Sequence, residues 1–132
     1  MTVSTHLAPW GHYAILDCSE CNLASIQSEE TLRTWITEVL VAIEMEAIGG
    51  PIIARTGVDQ ADKEGFTLVQ IIETGSIVAH FIDRDRHIYV DVFSCKEFTP
   101  EVVETCLKKH FGASIAVNKL MIPRNAAARA PE

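Results

Sequence analysis

The apolar positions of this chain fall into two rhythms, one of strands and one of helices. Residues 11–18 open with His12-Tyr13-Ala14-Ile15-Leu16, the start of a buried strand, and the polar residues 19–27 predict a loop. From Ser28 the period changes. Leu32, Trp35, Ile36, Val39, Leu40, Ile43 and Ala47 recur at helical spacing and predict one long amphipathic helix over 28–48. Ser28 can cap its first turn, Glu29 and Glu30 suit the positive helix end, and Gly49-Gly50-Pro51 stops it.

Residues 51–56 predict a short strand and 57–64 an acidic loop. Strands follow at 66–72, 77–82 and 87–93, joined by turns at Glu73-Thr74-Gly75-Ser76 and Asp83-Arg84-Asp85-Arg86. Thr99-Pro100-Glu101 starts a second helix with Val102, Val103, Cys106, Leu107 and Phe111 on its inner face, and Gly112 ends it. Residues 114–122 predict a last strand, and the Ala/Arg/Pro-rich residues 123–132 a flexible tail. The order β-α-β-β-β-β-α-β predicts one α+β domain over 1–122. It is a two-layer sandwich, a mostly antiparallel sheet with both helices on one face. Phe66, Leu68 and Ile72 are apolar on one strand parity, and Val69 and Ile71 on the other. The second sheet face therefore needs a cover, and a homodimer is the simplest source of one.

Charge narrows the choice of partners. Eighteen acidic against eleven basic residues give −7 with no Lys/Arg cluster, which disfavours nucleic acid and anionic membranes. No apolar run approaches the roughly 20 residues that span a bilayer. The N-terminus lacks the basic segment and apolar stretch of a secretory signal, so the four cysteines are expected as reduced thiols in a cytoplasmic protein.

Four features carry candidate chemistry. Cys18-Ser19-Glu20-Cys21 is a C-x-x-C, but a zinc site needs a second close pair, and a redox site places the motif at a helix start. Two thiols near a strand end account for it better. His80 and Cys95 lie in or just after strands of one antiparallel group. Brought together they would serve as general base and proton donor; apart, they are a satisfied histidine and a buried thiol. Asp91, between Val90 and Val92, is a carboxylate in an apolar strand and needs a partner. Ser76 follows Gly75 in a turn, where its hydroxyl can attack the preceding carbonyl or simply complete a hairpin.

The run Gly65-Phe66-Thr67-Leu68-Val69-Gln70-Ile71-Ile72-Glu73-Thr74-Gly75-Ser76-Ile77-Val78-Ala79-His80 resembles the core of the small prokaryotic S-adenosylmethionine decarboxylases, which read G-V-T-G-V-x-x-L-S-E-S-H-I-S-I-H there. Val90-Asp91-Val92-Phe93-Ser94-Cys95 resembles their V-D-V-F-T-C, and His12 to Cys21 loosely resembles their opening strand. The resemblance implies an α/β sandwich homodimer made as a proenzyme that cleaves itself at a Glu-Ser bond. The serine becomes a pyruvoyl group, the electron sink for decarboxylation of S-adenosylmethionine in spermidine synthesis. It assigns assistance in cleavage to His80 and proton donation to Cys95.

The departures fall at the cleavage point. The family's Glu-Ser pair lands on Thr74-Gly75, and glycine has no hydroxyl; the nearby ones are Thr74 and Ser76. The family's T-W-P-E becomes Phe81-Ile82-Asp83-Arg84, leaving Phe81 or Phe66 as candidate stacking surfaces for an adenosyl group. The expectation is a relative without self-processing or cofactor, with a binding or regulatory role linked to polyamine metabolism. The alternative is an active decarboxylase with a pyruvoyl group from Ser76.

Overall fold

The computed structural model describes residues 8–112 and 116–126. Its elements are β1 (Gly11–Ser19), α1 (Leu23–Ile26), α2 (Glu29–Ala42), β2 (Ile52–Thr56), β3 (Gly65–Ile72), β4 (Gly75–Ile82), β5 (His87–Ser94), α3 (Pro100–Phe111) and β6 (Ala116–Arg124). The six strands form one antiparallel sheet in the order β2-β3-β4-β5-β1-β6. This is the expected α+β sandwich, with the first strand set between the fifth and the sixth.

Local chemistry explains where the helices begin and end. Ser28 Oγ accepts the Thr31 N–H at 3.2 Å, capping α2. The helix stops at Ala42, short of the expected 48. Glu44 turns left-handed with φ 58°, and the Ile48 N–H then bonds the Ile71 carbonyl at 2.9 Å. Residues 47 and 48 thus follow the sheet, although their apolar side chains keep the helical spacing. The expected 19–27 loop contains α1, capped by Asn22, whose side chain accepts the Ser25 N–H at 2.9 Å. Four residues are too few to show a period.

The turn before β4 is shorter than expected, since Gly75 and Ser76 already belong to that strand. Strand β6 runs two residues past the expected boundary, to Arg124, with Pro123 opposite His12 on the sheet edge, where proline is tolerated. The expected strand start at 114 lies outside the described residues.

The helices bury one face of the sheet. Trp35, Phe81 and Phe111, all fully buried, meet with ring centroids 5.4–6.0 Å apart at the centre of the core. Around them pack Leu16, Leu68, Ile77, Ile88 and Val90. The opposite face is apolar too. One register row across all six strands reads Ile52, Val69, Val78, Asp91, Ile15 and Leu120. At its ends Ile52 and Leu120 are 65% and 58% exposed. The next row reads Ile71, Ser76, Phe93, Tyr13 and Ile122.

Candidate functional site

Strand alternation assigns each candidate residue to a face. Ser76 and His80 both stand on the open face of β4, four residues and so about 13 Å apart. His80 pairs with Tyr89, six residues before Cys95, so His80 and Cys95 are separated by about 20 Å along β5 and do not converge within one chain. The His80 Nδ1 is instead 3.1 Å from Thr67 Oγ1, which is 2.7 Å from Thr56 Oγ1. The imidazole is engaged in a hydroxyl chain on the open face.

Cys95 is exposed at the end of β5, and its N–H bonds the Thr74 carbonyl at 2.9 Å. The thiol-bearing residue therefore lies beside the segment 74–76. Gly75 sits in that segment with its α-carbon against the next strand; a β-carbon there would overlap the carbonyl oxygen of Phe93. Thr74 is committed elsewhere. Its hydroxyl accepts from Ser94 Oγ at 2.8 Å and donates to Met45 Sδ at 3.1 Å, on the helix side of the sheet. Of the two nearby hydroxyls, Ser76 alone stands on the open face.

One of the two expected stacking surfaces is corrected by the fold. Phe81 is fully buried between Trp35 and Phe111 and offers no face to a ligand. Phe66 shares its parity, packs against the core, and carries the Arg55 guanidinium 4.8 Å from its ring centroid. The sequence did not settle which parity faced the helices, because both are apolar.

The thiols of the C-x-x-C are buried. Burial pushes Cys18 up to about 12 and Cys21 up to about 11, so both stay protonated near neutrality. Among the described residues, no group of three or more metal-ligating side chains converges. Asp91 finds its partner on the neighbouring strand. Its negative charge acts on Tyr13, and burial first, then that charge, raises the Tyr13 phenol above its usual 10.

Aromatic surface does occur on the open face, from residues without a local sequence signal. Trp10 stacks on Phe93 with centroids 6.1 Å apart and planes 26° apart. The Arg124 guanidinium lies 5.4 Å from the ring centroids of both Phe93 and Tyr13. The Trp10 backbone N–H bonds Asn125 Oδ1 at 2.9 Å, across 115 positions of sequence. The β1–β5 and β1–β6 pairings bring these residues together. They line a cavity of about 390 Å³ next to Phe93, the strand partner of Ser76.

The fold and sequence have known counterparts. The chain superposes on the crystal structure of the adenosylmethionine decarboxylase from Aquifex aeolicus VF5 with a TM-score of 0.71 at 15% identity, covering 94% of this chain and 98% of that one. No curated protein sequence matches it. The sequence model of the S-adenosylmethionine decarboxylase family matches residues 12–124, nearly the whole described sheet and its helices, and the chain belongs to that family.

Proposed function

We propose that this protein is a decarboxylase relative that does not process itself. It remains one intact chain of 14.6 kDa and serves as a binding or regulatory subunit linked to polyamine metabolism. The observation that carries this reading is the backbone at Gly75. Self-cleavage at the position assigned by the family resemblance needs a hydroxyl on residue 75, and the Phe93 carbonyl leaves no room for any side chain there. Ser76 presents its hydroxyl one residue later and on the opposite face of the strand, so it addresses a different carbonyl. An oxyanion-stabilising donor built for one face does not serve the other.

A second copy of the chain covers the open face in this reading. Exposed Ile52, Ile71 and Leu120, with the half-buried Val69, Val78 and Ile15 between them, form a patch suited to an interface of roughly 1,200 Å² or more in total. Among the described residues no helix is long and apolar enough to cross a membrane, and a cytoplasmic site of action agrees with the reduced thiols.

Intact-mass spectrometry under denaturing conditions tests the proposal. A single species at the full chain mass supports it. Two fragments meeting at the 75–76 bond, the C-terminal one blocked at its amino end, would overturn it. They would make Ser76 the source of a pyruvoyl group, with Cys95 beside it as proton donor and S-adenosylmethionine as the expected substrate.

A further inference from the structure

Two side chains on the open face stand in positions that folding alone does not account for. Trp10 is 63% exposed, an unusual place for a large apolar ring, and its stacking on Phe93 holds it at the mouth of the 390 Å³ cavity. Arg124 lies over two aromatic rings, and the ion pairs of the described residues all lie elsewhere. The position is built rather than accidental. At Gly11 a β-carbon would come within 2.9 Å of Phe93 Cζ, so the glycine lets that ring lie across β1 toward Trp10. The Trp10 backbone N–H bonds both the Arg124 carbonyl and Asn125 Oδ1, which ties this end of the chain to the end of β6, while the indole itself is held by its stacking on Phe93.

We infer that the Trp10–Phe93–Arg124 slot binds a small ligand made of a flat aromatic ring and one anionic group. The ring lies on the indole face, and the anion accepts hydrogen bonds from Arg124, whose planar fork suits a carboxylate or a phosphate. The cavity lies within the roughly 300–1,000 Å³ range of small-molecule sites. Rings bearing a net positive charge are disfavoured, because the guanidinium repels them at short range. The inference goes beyond the question of processing and is tested by a different measurement.

The chain has two tryptophans, so two indole N–H resonances report the outcome. Trp35 is buried in the core and serves as the internal control for folding. Adenosine 5′-monophosphate and indole-3-acetate, a ring phosphate and a ring carboxylate, are titrated against neutral adenosine and cationic tryptamine. The expected result is that one or both anions shift the Trp10 resonance at submillimolar concentration while Trp35 stays still, and that their uncharged or cationic counterparts bind at least tenfold more weakly. The stronger of the two anions identifies the anionic group. Arg124→Gln is expected to remove that preference, weakening the anion by about tenfold and leaving the neutral ring unchanged. Equal binding of anion and cation, or no shift of Trp10 with either anion up to 10 mM (about the weakest binding worth calling specific), overturns the inference. So does a Trp10 signal that follows protein concentration alone, which would assign the slot to contact between copies.

Discussion

Gly75 and Phe93 approach so closely across the β4–β5 seam that the glycine α-carbon occupies all the space in front of the phenylalanine carbonyl oxygen. The contact joins a strand start to a strand end, and neither backbone can move without breaking ladder bonds on both sides. Gly75→Ser would place a hydroxyl where the family resemblance expects one. It is expected to leave the chain uncut and to cost roughly 1–3 kcal/mol of stability, because the added atom meets backbone rather than a flexible side chain. Urea unfolding and denaturing mass of the variant check both parts; efficient cleavage of it would mean that the surrounding machinery is intact.

The four thiols differ in access and in ionisation. Cys95 is exposed, whereas burial holds Cys18 at about 12, Cys21 at about 11, and Cys106 above its ordinary value. At pH 8 the thiolate fraction of Cys18 is on the order of 10⁻⁴. Native protein treated with iodoacetamide is expected to take up one label quickly, at Cys95, with the other three reacting only on unfolding. Peptide mapping after brief exposure reads this directly, and early labelling of Cys18 or Cys21 would contradict the buried C-x-x-C.

Glu38 ties α2 to α3 through Lys109 Nζ at 2.8 Å and His110 Nε2 at 3.0 Å. The hydrogen bond from Lys109, then that from His110, lowers the Glu38 carboxyl below its usual 4.5. A depressed folded-state value means that the contribution is complete above about pH 4.5 and disappears as pH falls through the lowered value. Glu38→Gln is therefore expected to be less stable than the parent at pH 7, with the gap closing on acidification below 4.5. Denaturation midpoints measured from pH 7 to pH 2.5 test the sign; a gap that widens toward acid would refute it.

Covering of the open face by a second copy makes a prediction about size. Ile71→Lys with Leu120→Lys places like charges on the patch, and both positions are exposed, so the fold itself should change by no more than about 0.5 kcal/mol each. Light scattering is expected to give twice 14.6 kDa for the parent and 14.6 kDa for the double variant. A parent that is already monomeric at micromolar concentration rules out the covering copy.

Most of the sheet was legible because β3, β4 and β5 are consecutive, rich in β-branched and aromatic residues, and separated by polar turns. The helix at Ser28 was legible for the same kind of reason: cap, charge and period agreed. What escaped depended on distance. Phe81 was read as a ligand surface because it falls where the resembling family has T-W-P-E, and only the placement of Trp35 and Phe111 assigns it to the core. His80 and Cys95 sit near each other in sequence terms, yet antiparallel register places them at opposite ends of neighbouring strands. Trp10 and Arg124 were invisible, since nothing local announces that the first strand will accept the last as its neighbour.

That acceptance has a consequence for the bond between residues 75 and 76. Severing it would put β1, β2 and β3 in one piece and β4, β5 and β6 in the other, but the sheet does not sort them that way. The first piece contributes β1 to the gap between β5 and β6, and β3 to the flank of β4, so three of the five strand seams would join the two pieces. The halves are dovetailed. A severed chain would stay assembled under native conditions, and the two pieces made separately would have to complement each other to fold. In such a lattice the covalent link at that turn is nearly dispensable to the architecture.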